Sequence, residues 1–91
     1  MEIVEEIEPN ITPVQEKAMA LRGYLLDDYK GRPSIEQIKR LEEGITYRLL
    51  SKFDRRGVEK FLDKAHSKGG AGLNRRTAKK FARELEILLM K

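Results

Sequence analysis

Four times along this chain, a residue that caps helices stands just before apolar residues spaced three and four apart. The capping residues are Thr12, Ser34, Asp54 and Asn74. Their short polar side chains accept hydrogen bonds from the free backbone N–H groups at the start of a helix. Apolar residues at this spacing lie on one helix face, and no strand-like alternation follows residue 9. The pattern predicts an all-α, compact four-helix domain.

The helix boundaries follow from local signals. The predicted helices lie near 13–30, 34–51, 55–67 and 75–90. T-x-x-Q at Thr12 and S-x-x-Q at Ser34 are capping boxes, and Pro33 prevents the first helix from continuing. The predicted core residues are Leu21, Leu25, Leu41, Ile45, Leu49, Phe61, Leu62, Phe81, Leu85 and Leu88.

Length and composition limit the chemistry available to the chain. Its 91 residues are enough for one domain with a modest core, here residues 12–91 after an acidic arm at 1–11. There is no cysteine, and the only histidine is His66, so neither a thiolate nor a multi-histidine metal site can form. We therefore predict no cofactor and no metal. His66 is expected in the last turn of the third helix, where its charge favours the helix dipole.

The acidic arm has two interpretations. Four of its first eight residues are glutamates. The arm either packs loosely or folds over the basic part of the molecule and screens it. It has no basic segment of the kind that begins a secretory signal, and the longest apolar run, Ile87 to Met90, is too short to span a bilayer. We expect an intracellular, cytoplasmic protein with no membrane partner.

Positive charge is concentrated between Lys52 and Arg83. This segment holds eleven Lys or Arg and three acids, a net of +8 in a chain whose total is +4. A local excess of this size is typical of a surface that meets phosphates. The eleven cations are Lys52, Arg55, Arg56, Lys60, Lys64, Lys68, Arg75, Arg76, Lys79, Lys80 and Arg83.

The start of the fourth helix has the wrong charge for stability. Arg75 to Arg83 hold five bases and no acid. Cations at a helix N-terminus oppose the macrodipole, so selection for stability alone would place acids there. Local exceptions to stability rules are typical of functional sites. The predicted nucleic-acid-binding residues are Arg75, Arg76, Lys79, Lys80 and Arg83, extended on the third helix by Lys60, Lys64 and Lys68.

The glycines between the last two helices are not a phosphate loop. Gly69-Gly70-Ala71-Gly72 lacks the G-x-x-x-x-G-K-[ST] spacing, and no hydrophobic strand precedes it. These glycines predict a sharp turn between two helices.

The end of the chain carries a family pattern. A helix of the type V-x-x-F-L is followed by a Gly-Leu turn, a polar cap with R-T and a helix with spaced leucines. The matching residues are Val58, Phe61, Leu62, Gly72, Leu73, Arg76, Thr77, Leu85 and Leu88. This order resembles the later half of the core-binding, SAM-like domain of tyrosine recombinases (integrases). The resemblance implies a domain that clamps duplex DNA through Lys and Arg. The family's catalytic domain has no counterpart here.

Three functional hypotheses follow. The first is a small, non-enzymatic nucleic-acid-binding protein. Duplex DNA is favoured because most of the six aromatics fall on core stripes, Tyr24 and Tyr47 excepted, whereas single strands stack on exposed aromatics. The alternative is a protein-interaction module such as an inhibitor, immunity protein or adaptor. An enzyme acting on an anionic metabolite is least favoured because no Ser-His-Asp or Cys-His set can form.

Overall fold

The structure, a computed structural model, describes residues 12–90. In chain order the helices are α1 (Pro13–Asp27), α2 (Ile35–Leu49), α3 (Arg55–Asp63) and α4 (Arg75–Leu89), with a 3-10 turn at His66–Lys68. No strand occurs between residues 12 and 90, so the predicted all-α four-helix domain is confirmed. No helix in this range has the length and apolar character needed to cross a membrane. The acidic arm, and with it the screening hypothesis, lies outside the described residues.

Each helix begins at its predicted capping residue. Thr12 and Ser34 head complete capping boxes, in which the side chain three residues later accepts the N-cap N–H in return. The Asp54 carboxylate accepts the Gly57 N–H at 2.8 Å, and the Asn74 side chain accepts the Thr77 N–H at 2.8 Å. The helix starts therefore depend on side chains only three residues away from the backbone groups they satisfy.

Two helices end three or more residues earlier than predicted. α1 ends at Asp27 rather than near residue 30, and α3 ends at Asp63 rather than near residue 67. Beyond α1, the ring of Tyr29 packs edge-on against Phe81 of α4, with centroids 5.3 Å apart. The Tyr29 N–H donates to the Leu26 carbonyl at 3.1 Å, an i→i−3 bond that tightens the end of α1, and the Tyr29 side chain packs against the core from beyond the helix.

The connection between α3 and α4, residues 64–74, folds back on the end of α3. Three carbonyls of α3 and its C-cap accept bonds of 2.9–3.2 Å from this connection: Phe61 from Ala71, Leu62 from Leu73, and Lys64 from Gly72. A further helical turn would have used the same carbonyls, so the returning chain replaces it. Gly69 and Gly72 adopt left-handed backbone, at φ of 91° and 72°, as expected for a sharp glycine turn.

The early end of α3 changes the position of three predicted residues. His66 begins the exposed 3-10 turn instead of lying in the last turn of α3. Lys64 has extended backbone, with φ −60° and ψ 141°, and Lys68 lies in the 3-10 turn. Neither lysine therefore continues the helical row that Lys60 begins on α3.

The core lies between all four helices. Seven predicted core residues are buried: Leu21, Leu25, Leu41, Ile45, Leu62, Phe81 and Leu85. The other three, Leu49, Phe61 and Leu88, are partly buried and pack against them. Ala71 and Leu73 of the connection are also buried, at 0% and 5% exposed, although the sequence analysis treated this segment as a turn. The connection is thus part of the core.

Alanine in place of Gly70 should destabilise the protein by roughly 2 kcal/mol, as for other overpacked sites. Gly70 is buried, and a Cβ there would overlap the Lys64 carbonyl and approach the Phe61 carbonyl to 2.7 Å. Gly23→Ala is the matched control, because a Cβ at this exposed helical position meets nothing within 4 Å. The control should stabilise the protein by about 0.5–1 kcal/mol. Urea unfolding of both variants measures the effects, and equal effects would contradict the packing described for the connection.

Candidate nucleic-acid interface

The strongly basic part of the chain forms a pair of adjacent helices that run in opposite directions. Asp63 at the end of α3 and Arg75 at the start of α4 line one groove, while Arg55 at the start of α3 lies beside Arg83 in another. The α3–α4 contact is the most extensive between any two helices. Packing along this contact determines which cations become neighbours.

One groove between α3 and α4 is lined only by cations. This groove, called the basic groove, consists of Arg55, Arg76, Lys79, Lys80 and Arg83 and has a volume of about 260 Å³. Arg55 is the first residue of α3, and the other four lie within the first three turns of α4. All five residues are exposed. The basic groove therefore presents several positive charges to solvent at one place.

A second groove on the same helix pair contains both charges. This mixed groove is lined by Asp54, Arg55, Arg56, Glu59, Lys60, Asp63, Arg75 and Lys79. It includes all three acids of the basic segment, so Lys60 and Arg75 face carboxylates as well as cations. Of the eight predicted binding residues, the structure brings Arg76, Lys79, Lys80 and Arg83 together in the basic groove. Lys64 and Lys68 line neither groove.

Arg55 was missed as a binding residue by the sequence analysis. It belongs to the basic groove because α3 and α4 are antiparallel, a relation that the sequence of one helix does not contain. A local signal was nevertheless present. Like α4, α3 begins with two arginines, and neither helix has an acid in its first turn. Both helices of the pair thus place cations where the macrodipole disfavours them.

The acids that form ion pairs do so with arginines outside the segment from Lys52 to Arg83. Between residues 12 and 90, the pairs are Arg22–Glu42 at 2.6 Å, Arg40–Glu43 at 2.9 Å and Arg48–Glu86 at 2.6 Å. None of the eleven cations from Lys52 to Arg83 pairs with a carboxylate of this range. The basic groove therefore has no counterion among the described residues.

The Arg48–Glu86 pair ties the end of α2 to the end of α4. It is bidentate, with Nε to Oε2 at 2.6 Å and Nη2 to Oε1 at 3.0 Å. The hydrogen bond to Glu86 raises the pKa of the Arg48 guanidinium. This pair holds α4 to α2, and it uses the carboxylate of Glu86, which would otherwise lower the positive potential of α4.

Five of the six aromatic residues pack on one another. Tyr29 contacts Phe81, and Tyr47, Phe53 and Phe61 form a second cluster with centroids 5.2–6.2 Å apart. Tyr24 stands apart and is 65% exposed, but it does not line the basic groove. None of the described residues that line the basic groove is aromatic, so none provides a ring on which an unpaired base could stack.

Comparison with protein-family models, with curated proteins and with solved structures finds no match. The resemblance to the tyrosine recombinase domain therefore stays a prediction. Several residues that carry it, including Val58, Leu62, Leu73 and Leu85, are buried. Much of that pattern is thus what the packing of this helix pair requires, and Arg76 is the one member of it in the basic groove.

Proposed function

We propose that this protein is a non-enzymatic nucleic-acid-binding domain that holds the phosphates of duplex DNA in the basic groove. One observation carries the proposal: five cations from two helices line a single groove to which residues 12–90 contribute no acid. Cations held together repel one another, and this repulsion destabilises the folded protein. Phosphate oxygens placed among them would reverse the repulsion and form charge-assisted hydrogen bonds with the arginines.

The size of the basic groove fits this role. Its volume of about 260 Å³ is below the roughly 300–1,000 Å³ usual for sites that enclose small molecules. An extended polyanion needs no enclosure, because consecutive phosphates along one strand can each meet a cation at the surface. Phosphate contacts position a duplex without reading its bases, so the expected binding is weakly sequence-selective.

Removing three groove charges should weaken duplex binding on the order of 100-fold at about 0.1 M salt. The variant is Arg55→Gln/Arg76→Gln/Lys80→Gln. The matched control, Lys17→Gln/Lys30→Gln/Lys39→Gln, removes the same charge from exposed lysines outside the basic segment. The control should retain most of the affinity, because Lys17 and Lys39 lie on α1 and α2 and Lys30 lies in the loop between them. Fluorescence anisotropy with a labelled duplex of random sequence measures both.

A third variant tests the predicted extension of the surface. Lys60→Gln/Lys64→Gln/Lys68→Gln should weaken binding less than the groove variant does, since these lysines do not line the basic groove. Duplex RNA and single-stranded DNA of equal length are titrated in the same way, and their affinities are compared with that of duplex DNA. Undetectable binding of every nucleic acid at low salt, or equal loss in the groove and control variants, would contradict the proposal. The protein-interaction hypothesis would then be favoured.

A further inference from the structure

The second half of α4 lines a groove of the opposite charge. It lies between α1 and α4 and is called the acid-rimmed groove. Its lining consists of Tyr24, Leu25, Asp27, Asp28, Glu84, Ile87 and Leu88. These residues are four apolar side chains and three acids, with no base among them. A protein with a net charge of +4 thus has, among its described residues, a groove in which every charged residue is an acid.

Large apolar side chains are exposed in this groove. Tyr24 is 65% exposed and Ile87 is 48% exposed, whereas Leu25 beneath them is 2% exposed and belongs to the core. The volume of about 270 Å³ is below the roughly 300–1,000 Å³ of small-molecule sites. The space therefore suits a few side chains of another polypeptide better than a metabolite. Removing such apolar surface from water favours association.

The acids at the end of α1 are not explained by helix stability. Asp27 is the last residue of α1 and Asp28 is its C-cap, and the last turn contains no base. Acids at a helix C-terminus oppose the macrodipole, just as the cations at the start of α4 do. Neither aspartate nor Glu84 forms an ion pair with the cations of residues 12–90. Three carboxylates therefore surround an exposed apolar surface without a charge partner in this range.

We propose that the acid-rimmed groove binds a segment of a partner protein that carries large apolar side chains flanked by Lys or Arg. The apolar side chains would cover Tyr24 and Ile87, and the flanking cations would meet Asp27, Asp28 and Glu84. Charge excludes nucleic acid from this groove, since carboxylates repel phosphates. A second copy of the chain is a poorer occupant, because its basic groove has no apolar side chain to insert. The inference does not depend on DNA binding.

Three synthetic peptides test the chemistry of the partner. The probe is a short amphipathic helix of leucine and lysine. One comparison peptide replaces lysine with glutamate, and the other replaces leucine with serine. Calorimetric titration should show binding of the leucine–lysine peptide. Both comparison peptides should bind about tenfold more weakly or worse, because one lacks the positive charges and the other lacks the apolar side chains. Amide NMR shifts should change most at Tyr24, Asp28 and Ile87.

Variants of the protein locate the peptide site. Tyr24→Ser/Ile87→Ser should weaken peptide binding about tenfold or more. Ile35→Ser is its control, because Ile35 is 74% exposed but lies outside the groove. Asp27→Asn/Asp28→Asn should also weaken peptide binding, while its melting temperature stays equal or rises. Its control, Glu16→Gln/Glu36→Gln, makes the same charge change in the first turns of α1 and α2 and should leave peptide binding unchanged.

Three results would overturn this inference. One is peptide binding that is unaffected by the groove variants. Another is equal binding of the serine–lysine peptide, which would show attraction by charge alone. The third is a dimer seen by sedimentation in the native protein but not in Tyr24→Ser/Ile87→Ser, which would assign the groove to a second copy of the chain. Duplex DNA binding should be the same in the native protein and this variant, so the two sites are tested separately.

Discussion

Raising the salt concentration from about 50 to about 200 mM should weaken duplex binding by the native protein about 500-fold. The reason is that each phosphate neutralised by the protein releases condensed counterions, and added salt opposes this release. The logarithm of the affinity falls with the logarithm of salt by about 0.9 per phosphate contacted. Five groove cations that each neutralise one phosphate therefore predict a slope of about −4.5.

The Arg55→Gln/Arg76→Gln/Lys80→Gln variant should depend much less on salt. Two remaining groove cations predict a slope of about −1.8, so the same change in salt should weaken its binding only about 12-fold. Anisotropy titrations at four salt concentrations give the slopes for both proteins and for Lys17→Gln/Lys30→Gln/Lys39→Gln. The control should keep the native slope. A groove variant with the native slope would show that the phosphates lie elsewhere.

Phe81→Ala should remove most of the stability of the fold. Phe81 is 1% exposed, and its ring contacts the Tyr29 ring where the chain leaves α1. Truncation of a buried phenylalanine leaves a cavity and costs about 3–5 kcal/mol. Natural domains are stable by only about 5–15 kcal/mol, and a small domain is expected at the low end of this range. The variant is therefore expected to be partly unfolded at room temperature.

Ile87→Ala is the control for Phe81→Ala. It shortens an apolar residue of the same helix that is 48% exposed, and exposed substitutions usually change stability by less than about 0.5 kcal/mol. Circular dichroism during heating and urea unfolding of both variants measure the difference. A melting temperature of Phe81→Ala equal to that of the native protein would show that α4 packs on another face.

Helix starts were predictable from the sequence, and the ends of α1 and α3 were not. Thr12, Ser34, Asp54 and Asn74 all cap helices, because a cap is a bond between residues two or three apart. The end of α3 depends on hydrogen bonds from Ala71, Gly72 and Leu73, which return to it after the turn. Hydrophobic spacing identifies such a helix without showing where tertiary contacts replace its last turn.

The candidate site was predictable only where it depends on the spacing of residues within one helix. The spacing of Arg76, Lys80 and Arg83 at four and three residues is enough to place them on one side of α4, and in the structure they line one groove. Arg55 joins them only through the antiparallel packing of α3. The acid-rimmed groove depends likewise on the approach of α1 to α4, which brings Asp28 near Glu84 although 56 positions separate them in the sequence. The arrangement of side chains on one helix follows from their spacing in the sequence, whereas a groove between two helices depends on how the helices pack.

The hydrogen-bonded connection at residues 64–74 also determines how much conformational freedom the protein loses when a ligand binds. Its backbone is held by bonds to the end of α3, and its buried Ala71 and Leu73 anchor it in the core. The helices that carry the basic groove are therefore preorganised before any phosphate arrives. Binding then restricts only the long side chains, at roughly 0.5–1.5 kcal/mol each, rather than a mobile backbone. Gly70 lines neither α3–α4 groove. A substitution there that loosens the connection, such as Gly70→Ala, should accordingly lower DNA affinity, because binding would then cost backbone entropy while every groove cation remains in place.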